Sequence, residues 1–108
     1  MGIFDFFKSN KKDKLFKTYH ENGQLEEEGN YKAGKPSFNK YYHENGQLNS
    51  EGSFKDSKSE GLWPTYYENG QLKEEGNFKE GKREGLWKYY NENGQLMEEG
   101  SFNSLKNK

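Results

Sequence analysis

The pentapeptide Glu-Asn-Gly-Gln-Leu occurs four times, starting at Glu21, Glu44, Glu68 and Glu92, with offsets of 23, 24 and 24 residues. A fixed period constrains architecture more than any local propensity, because each copy must fold alike and bury its apolar surface against its neighbours. Other positions recur in the same frame. A second glycine follows (Gly29, Gly52, Gly76, Gly100), and two residues later an aromatic (Tyr31, Phe54, Phe78, Phe102). Tyr19, Tyr42, Tyr66 and Tyr90 also align. Phe16, Trp63 and Trp87 stand three residues before three of these tyrosines, each preceded by a leucine (Leu15, Leu62, Leu86).

Asn-Gly is the strongest short hairpin signal, and it predicts a two-residue type I′ loop at Asn22-Gly23, Asn45-Gly46, Asn69-Gly70 and Asn93-Gly94. Weaker turn pairs alternate with these at Ala33-Gly34, Asp56-Ser57, Glu80-Gly81 and Asn103-Ser104. The spacing suits an antiparallel meander of about eight strands, with helix disfavoured throughout 14–103. A loop at Asn93-Gly94 sets Trp87 opposite Gly100, Tyr89 opposite Glu98 and Asn91 opposite Leu96. The same rule sets Trp63 opposite Gly76 and Phe16 opposite Gly29, so that an aromatic ring covers a bare strand glycine in three of four units. In the second unit a one-residue deletion around Pro36 sets Asn39 opposite Gly52, moves Phe38 to the other face and predicts a local irregularity.

Alternation along the strands then sorts the side chains. One face is expected to collect Phe16, Trp63 and Trp87, the leucines Leu25, Leu48, Leu72 and Leu96, the second glycines, and Tyr31, Phe54, Phe78 and Phe102. The other, wetter face carries Tyr19, Tyr42, Tyr66 and Tyr90 among Gln24, Gln47, Gln71 and Gln95. Composition agrees with a thin sheet. Eight Phe, eight Tyr, two Trp and thirteen Gly stand in a chain of 108 residues that has 17 Lys and Arg against 18 Asp and Glu. A large aliphatic core is excluded.

The pattern Gly-Leu-Trp-x-Tyr-Tyr-x-Glu-Asn-Gly-Gln-Leu-x-x-Glu-Gly-x-Phe, visible from Gly85 to Phe102 and, with Thr65 at the first Tyr and Gly-Lys appended, from Gly61 to Lys82, resembles the MORN-repeat variants. The second unit lacks the Gly-Leu-Trp element, and the first has Lys14-Leu15-Phe16 in its place. The resemblance implies an all-β, elongated, twisted antiparallel sheet of four hairpins over 14–103, working as a protein-interaction scaffold. It further implies, for bacterial variants, the antitoxin partner of a cognate toxin, and for some eukaryotic members membrane or phospholipid attachment.

Residues 1–13 differ from the repeats. Ile3, Phe4, Phe6 and Phe7 form a short amphipathic turn or helix ahead of Lys8, Lys11 and Lys12, readable as membrane-surface attachment or as a cap on the first edge strand or on the end of the apolar face. Four apolar residues are few for a membrane anchor, which favours the cap. Residues 104–108 form a tail.

No catalytic constellation stands out. There is no cysteine, and His20 and His43 occupy repeat positions filled elsewhere by Tyr67 and Asn91, which reads as solvated strand-end histidines and not as metal ligands. Glu26-Glu27-Glu28, Glu74-Glu75 and Glu98-Glu99 alternate faces and do not form carboxylate pairs. The Gly-Lys turns lack the spacing of a phosphate loop. No cofactor is expected, and the acidic repeats disfavour nucleic acid.

What remains is the row Tyr19, Tyr42, Tyr66 and Tyr90, readable as plain strand packing or as a binding strip for a protein partner. A second reading is a module resembling the choline- or glycan-binding aromatic repeats of bacterial cell walls, against which the missing export segment argues. A cytoplasmic address is expected, and open sheet edges permit a dimer.

Overall fold

The computed structural model describes residues 4–8 and 13–103, with side chains described from residue 13 onward. Ten strands form one antiparallel sheet: β1 (Phe4–Lys8), β2 (Lys14–Tyr19), β3 (Leu25–Lys32), β4 (Lys35–Tyr42), β5 (Leu48–Lys55), β6 (Lys58–Leu62), β7 (Thr65–Tyr66), β8 (Leu72–Lys79), β9 (Lys82–Tyr90) and β10 (Leu96–Phe102). Eight of these positions are the expected repeat strands, one of them split into β6 and β7 at Trp63-Pro64. Proline has no N–H to give the ladder, so the break falls there. The ninth is β1, which pairs along β2 from Phe4 opposite Thr18 to Lys8 opposite Lys14. The N-terminal segment is thus a strand where a turn or helix was expected. The open edge of β2 supplies hydrogen-bond partners that an isolated short helix lacks. The side chains of Ile3, Phe4, Phe6 and Phe7, the turn at Asn103-Ser104 and the tail 104–108 lie outside the described residues.

The sheet stays single-layered. It measures 40 × 33 × 19 Å, and nine strand positions at about 4.8 Å account for the long dimension. Its accessible surface of 7410 Å² exceeds the roughly 6,200 Å² of a compact globule of this mass.

The turns exchange roles relative to expectation. Both central residues are left-handed at Ala33-Gly34 (φ 52°, 82°), Asp56-Ser57 (52°, 67°) and Glu80-Gly81 (53°, 84°), so the weaker pairs form the two-residue type I′ loops. In the Asn-Gly loops only the glycine is left-handed, and Gly23 N–H bonds the carbonyl of His20 at 2.9 Å while His20 N–H bonds that of Gln24 at 2.8 Å. These are three-residue loops built on a type I turn, and a bulge follows each.

That bulge corrects the face assignment of the leucines. The ladder shifts beside each loop so that Leu25 pairs Tyr19, Leu48 pairs Tyr42, Leu72 pairs Tyr66 and Leu96 pairs Tyr90. Leu96 therefore opposes Tyr90 where Asn91 was expected. One extra residue inverts the alternation, and the four leucines join the tyrosine face.

Beyond the bulge the expected register holds. Trp87 pairs Gly100, Tyr89 pairs Glu98, Phe16 pairs Gly29 and Asn39 pairs Gly52, while Trp63 N–H bonds the Gly76 carbonyl at 2.9 Å. The rings, however, lean the other way. A β-carbon on Gly52 would overlap the Trp63 indole and one on Gly76 the Trp87 indole, whereas no described residue lies within 4 Å of the same position on Gly100. Each ring covers the glycine of the preceding hairpin. Gly61 and Gly85, both left-handed (φ 82° and 73°), bulge the strand just before each Trp and re-aim its side chain. The second unit has no such glycine, and its ladder shifts by one residue opposite Pro36–Phe38. Asn39 then takes the indole's place over Gly29, and Phe38 pairs Ser53 on the opposite face.

The aromatic rings mesh edge to face in one row: Phe54–Trp63 at 5.3 Å, Trp63–Phe78 at 6.0 Å, Phe78–Trp87 at 5.2 Å and Trp87–Phe102 at 6.4 Å. Contacts of this geometry contribute about 0.5–1.5 kcal/mol each beyond area burial. Both indole N–H groups are satisfied, Trp63 by the Ser53 carbonyl and Trp87 by that of Asn77, each at 3.1 Å. Arg83 covers the Trp87 ring at 4.1 Å, leaving that residue 1% exposed.

Candidate functional site

The face opposite the indoles carries the four tyrosines singled out by the repeat. Tyr19, Tyr42, Tyr66 and Tyr90 end β2, β4, β7 and β9, all half-buried. Successive tyrosines lie two inter-strand spacings apart, a pitch of about 9.5 Å. With Leu25, Leu48, Leu72 and Leu96 beside them they form an amphipathic strip along the loop side of the sheet.

Next to this strip runs a row of alternating charge. Lys17 pairs Glu28, Glu28 pairs Lys40, and Lys40 pairs Glu51; further on, Glu75 pairs Lys88 and Lys88 pairs Glu99. Pro64 holds the place of a lysine between Glu51 and Glu75. The consequence is felt by Tyr66, whose hydroxyl proton is held above the usual tyrosine range by burial and then by the charges of Glu51 and Glu75. Tyr42 donates to Glu28 Oε2 at 2.7 Å; burial, that bond and the surrounding carboxylates push it up to about 12. The hydroxyls of Tyr42 and Tyr66 are therefore donors at any physiological pH.

The face is not flat. Leu15, Lys17, Glu28, Asn30, Phe38 and Lys40 line an open hollow of about 460 Å³ over β3, with Leu15 and Phe38 substantially exposed.

The histidines have a role that repeat comparison missed. His20 Nε2 donates to the Tyr42 carbonyl at 2.9 Å and His43 Nε2 to the Tyr66 carbonyl at 2.8 Å, while the Tyr67 hydroxyl donates to the Tyr90 carbonyl at 2.6 Å. A carbonyl only accepts, so Nε2 carries the proton in both rings. Chemically different side chains thus make one inter-repeat bond, and that shared task is why the position tolerates exchange. The loop asparagines stitch the repeats likewise, Asn22, Asn45 and Asn69 donating to the carbonyls of Glu44, Glu68 and Glu92 at 2.8–2.9 Å. Among the described residues no three His, Asp or Glu converge as metal ligands.

A family model described as MORN repeat variant matches residues 12–33, 39–56, 59–80 and 83–104, four times in succession. No curated protein and no solved structure matches the chain.

Proposed function

Since the chain belongs to the MORN-repeat variant family, whose repeats are typically modules that bind proteins or membrane lipids, we propose that it is a non-enzymatic scaffold that engages a protein partner through its tyrosine face. The observation that carries this reading is the strip of Tyr–Leu pairs on a face that no described residue covers. Tyrosine with neighbouring apolar area is favoured at interfaces because a rigid ring buries much surface at little entropic cost and keeps a polar tip. The balanced charge row beside it gives such an interface a register without a strong net field.

The test is capture from a lysate of the source organism by the immobilised chain, compared with a Tyr66→Ser/Tyr90→Ser double variant of equal thermal stability. A partner retained by the parent chain and lost by the variant supports the proposal, and identical captures overturn it. Cosedimentation with phosphatidylserine vesicles should show no binding. Binding to vesicles that the double variant abolishes would transfer the face to lipid.

A further inference from the structure

The tyrosine face carries a third row beyond the charged one. On β2, β4, β6 and β9 it presents Leu15, Phe38, Leu62 and Leu86, exposed by 36% to 55%. A smaller polar residue stands opposite each on the neighbouring strand: Asn30, Ser53, Asn77 and Ser101. All three rows therefore alternate from strand to strand, large apolar with small polar, lysine with glutamate except at Pro64, and tyrosine with leucine. They span eight strand positions, β6 and β7 sharing one. An alternating row of even length, turned end for end, is its own complement.

Accepting that this face binds proteins, we infer that its partner is a second copy of the chain, laid face to face about a two-fold axis that runs along the strands between β5 and the β6–β7 position. Such an interface uses one patch twice, so the patch must complement itself. The axis reverses strand order. It lays β2 over β10 of the second copy, β3 over β9, β4 over β8 and β5 over β6–β7. Lys17 then meets Glu99, Glu28 meets Lys88 and Lys40 meets Glu75, while Glu51 meets the uncharged Pro64. Every tyrosine meets a leucine, as Tyr42 meets Leu72 and Tyr66 meets Leu48. The hollow over β3, walled by Leu15 and Phe38 with Asn30 beneath, receives Leu86 of the second copy.

Charge selects this axis among the aligned two-folds. An axis across the strands sets Lys17 over Lys17 and Glu28 over Glu28 when the charge rows meet, and an axis along a strand sets Lys17 over Lys88 or Glu28 over Glu99, all like-charge contacts that oppose association. Axes between strands avoid them, and only the central one overlaps all eight positions. A face of 40 × 33 Å is ample for the roughly 800 Å² that each partner contributes to a stable interface. No described residue covers it. A second sheet packed there supplies the layer that a half-covered sheet normally has.

Charge-reversed variants of the 108-residue chain test this register. The parent chain should sediment at twice its 12.7 kDa mass at hundred-micromolar concentration. Lys40→Glu creates two Glu–Glu contacts across the axis and Glu75→Lys two Lys–Lys contacts, so each variant alone should self-associate at least tenfold more weakly. An equimolar mixture restores a Lys–Glu contact at both places and should return the dimer as a heterodimer. Strain within each sheet is the same alone or mixed, so recovery on mixing reports the contact between copies. In the parent chain, isotope-filtered spectra should show Leu86 methyls of a labelled copy against Asn30 or Phe38 of an unlabelled one, a readout that stands even where a reversed variant fails to fold. A parent chain monomeric up to millimolar concentration, a dimer indifferent to both reversals, a mixture no tighter than its components, or a dimer without the Leu86 contact overturns the inference.

Two outcomes separate the dimer from the tyrosine reading. A monomeric parent chain that captures a lysate protein through Tyr66 and Tyr90 removes the dimer and keeps the protein-binding face. A dimer that dissociates on charge reversal, while Tyr66→Ser/Tyr90→Ser alters neither it nor the capture, keeps the dimer and removes the tyrosines from the interface.

Discussion

Trp87 lies over Gly76, one hairpin upstream, in a slot that a single β-carbon would fill. In a sheet with no second layer, this contact and its Trp63–Gly52 counterpart take the place of a core, because they bury an indole between backbone and neighbouring rings. Cohesion between repeats therefore exceeds what the ladder alone provides, as expected for a linear array whose stability resides in nearest-neighbour interfaces.

The first expectation concerns that slot. Gly76→Ala should lower stability by about 1–3 kcal/mol through forced displacement of the indole, with a red-shifted Trp emission. Gly100→Ala, at the identical repeat position with open space around it, should be neutral or raise stability by about 0.5 kcal/mol. Urea titrations of the two variants decide the matter, and equal losses would contradict the assignment of the ring to Gly76.

Asp56-Ser57 forms a type I′ loop in which neither residue is glycine. A left-handed serine carries strain of roughly 1 kcal/mol, partly offset by the lower chain entropy of the unfolded state. Ser57→Gly should raise the urea midpoint by the equivalent of about 0.5 kcal/mol, and Gly81→Ser at the matching loop should lower it comparably.

These two cases also mark how far the residues alone speak. The Trp87–Gly100 register was legible because the extra loop residue and the bulge beside it cancel, so that a two-residue loop at Asn93-Gly94 gives the same pairing beyond the bulge. The side to which the indole leans was not, because it depends on the left-handed bulge at Gly85, and a Gly-Leu-Trp string does not announce whether its glycine bends the strand. The Asn-Gly pairs fit both a two-residue and a three-residue loop. The choice is stabilised by Asn22 Oδ1 accepting from Gln24 N–H at 2.9 Å while its Nδ2 reaches the next repeat, a contact invisible within one hairpin. The tyrosine row was legible from periodicity, but the leucines beside it were not, since one bulged residue reverses their face.

Exchangeability of the histidine position gives a third expectation. His43→Tyr should retain the bond to the Tyr66 carbonyl, as Tyr67 does toward Tyr90, and should keep stability within about 0.5 kcal/mol. His43→Ala leaves that carbonyl without the bond and should cost about 1 kcal/mol. Thermal melts at pH 8 compare the two.

At alkaline pH the tyrosine face should respond through Tyr42. Its proton is held to about 12 in the folded chain, above the ordinary value of 10, so the stabilisation linked to it is complete below pH 10 and is lost as pH rises through 12. Absorbance titration at 295 nm should therefore show a late-titrating tyrosine that is missing in Tyr42→Phe. In Glu28→Gln, which removes both a charge and the accepting carboxylate, the same tyrosine should titrate earlier.

Asn39 presents the opposite problem, a buried group with too few partners. It is 6% exposed, its Nδ2 donates to Glu27 Oε2 at 2.6 Å and to the Tyr41 hydroxyl at 3.3 Å, and its Oδ1 has no partner among the described residues. Burial raises the Glu27 carboxyl above its ordinary 4.5, opposed by the Asn39 bond and reinforced by Glu26. A folded value above the unfolded one means stability that is present in acid and lost as pH rises through the folded value. Protonated Glu27 can then donate to Asn39 Oδ1 once the amide turns over. Glu27→Gln carries that donor at every pH, so it should be more stable than the parent chain at pH 7 by about 1 kcal/mol, with the gap closing as pH falls toward 4. A gap that stays constant from pH 7 to 4 would place its origin elsewhere than in the Glu27–Asn39 pair.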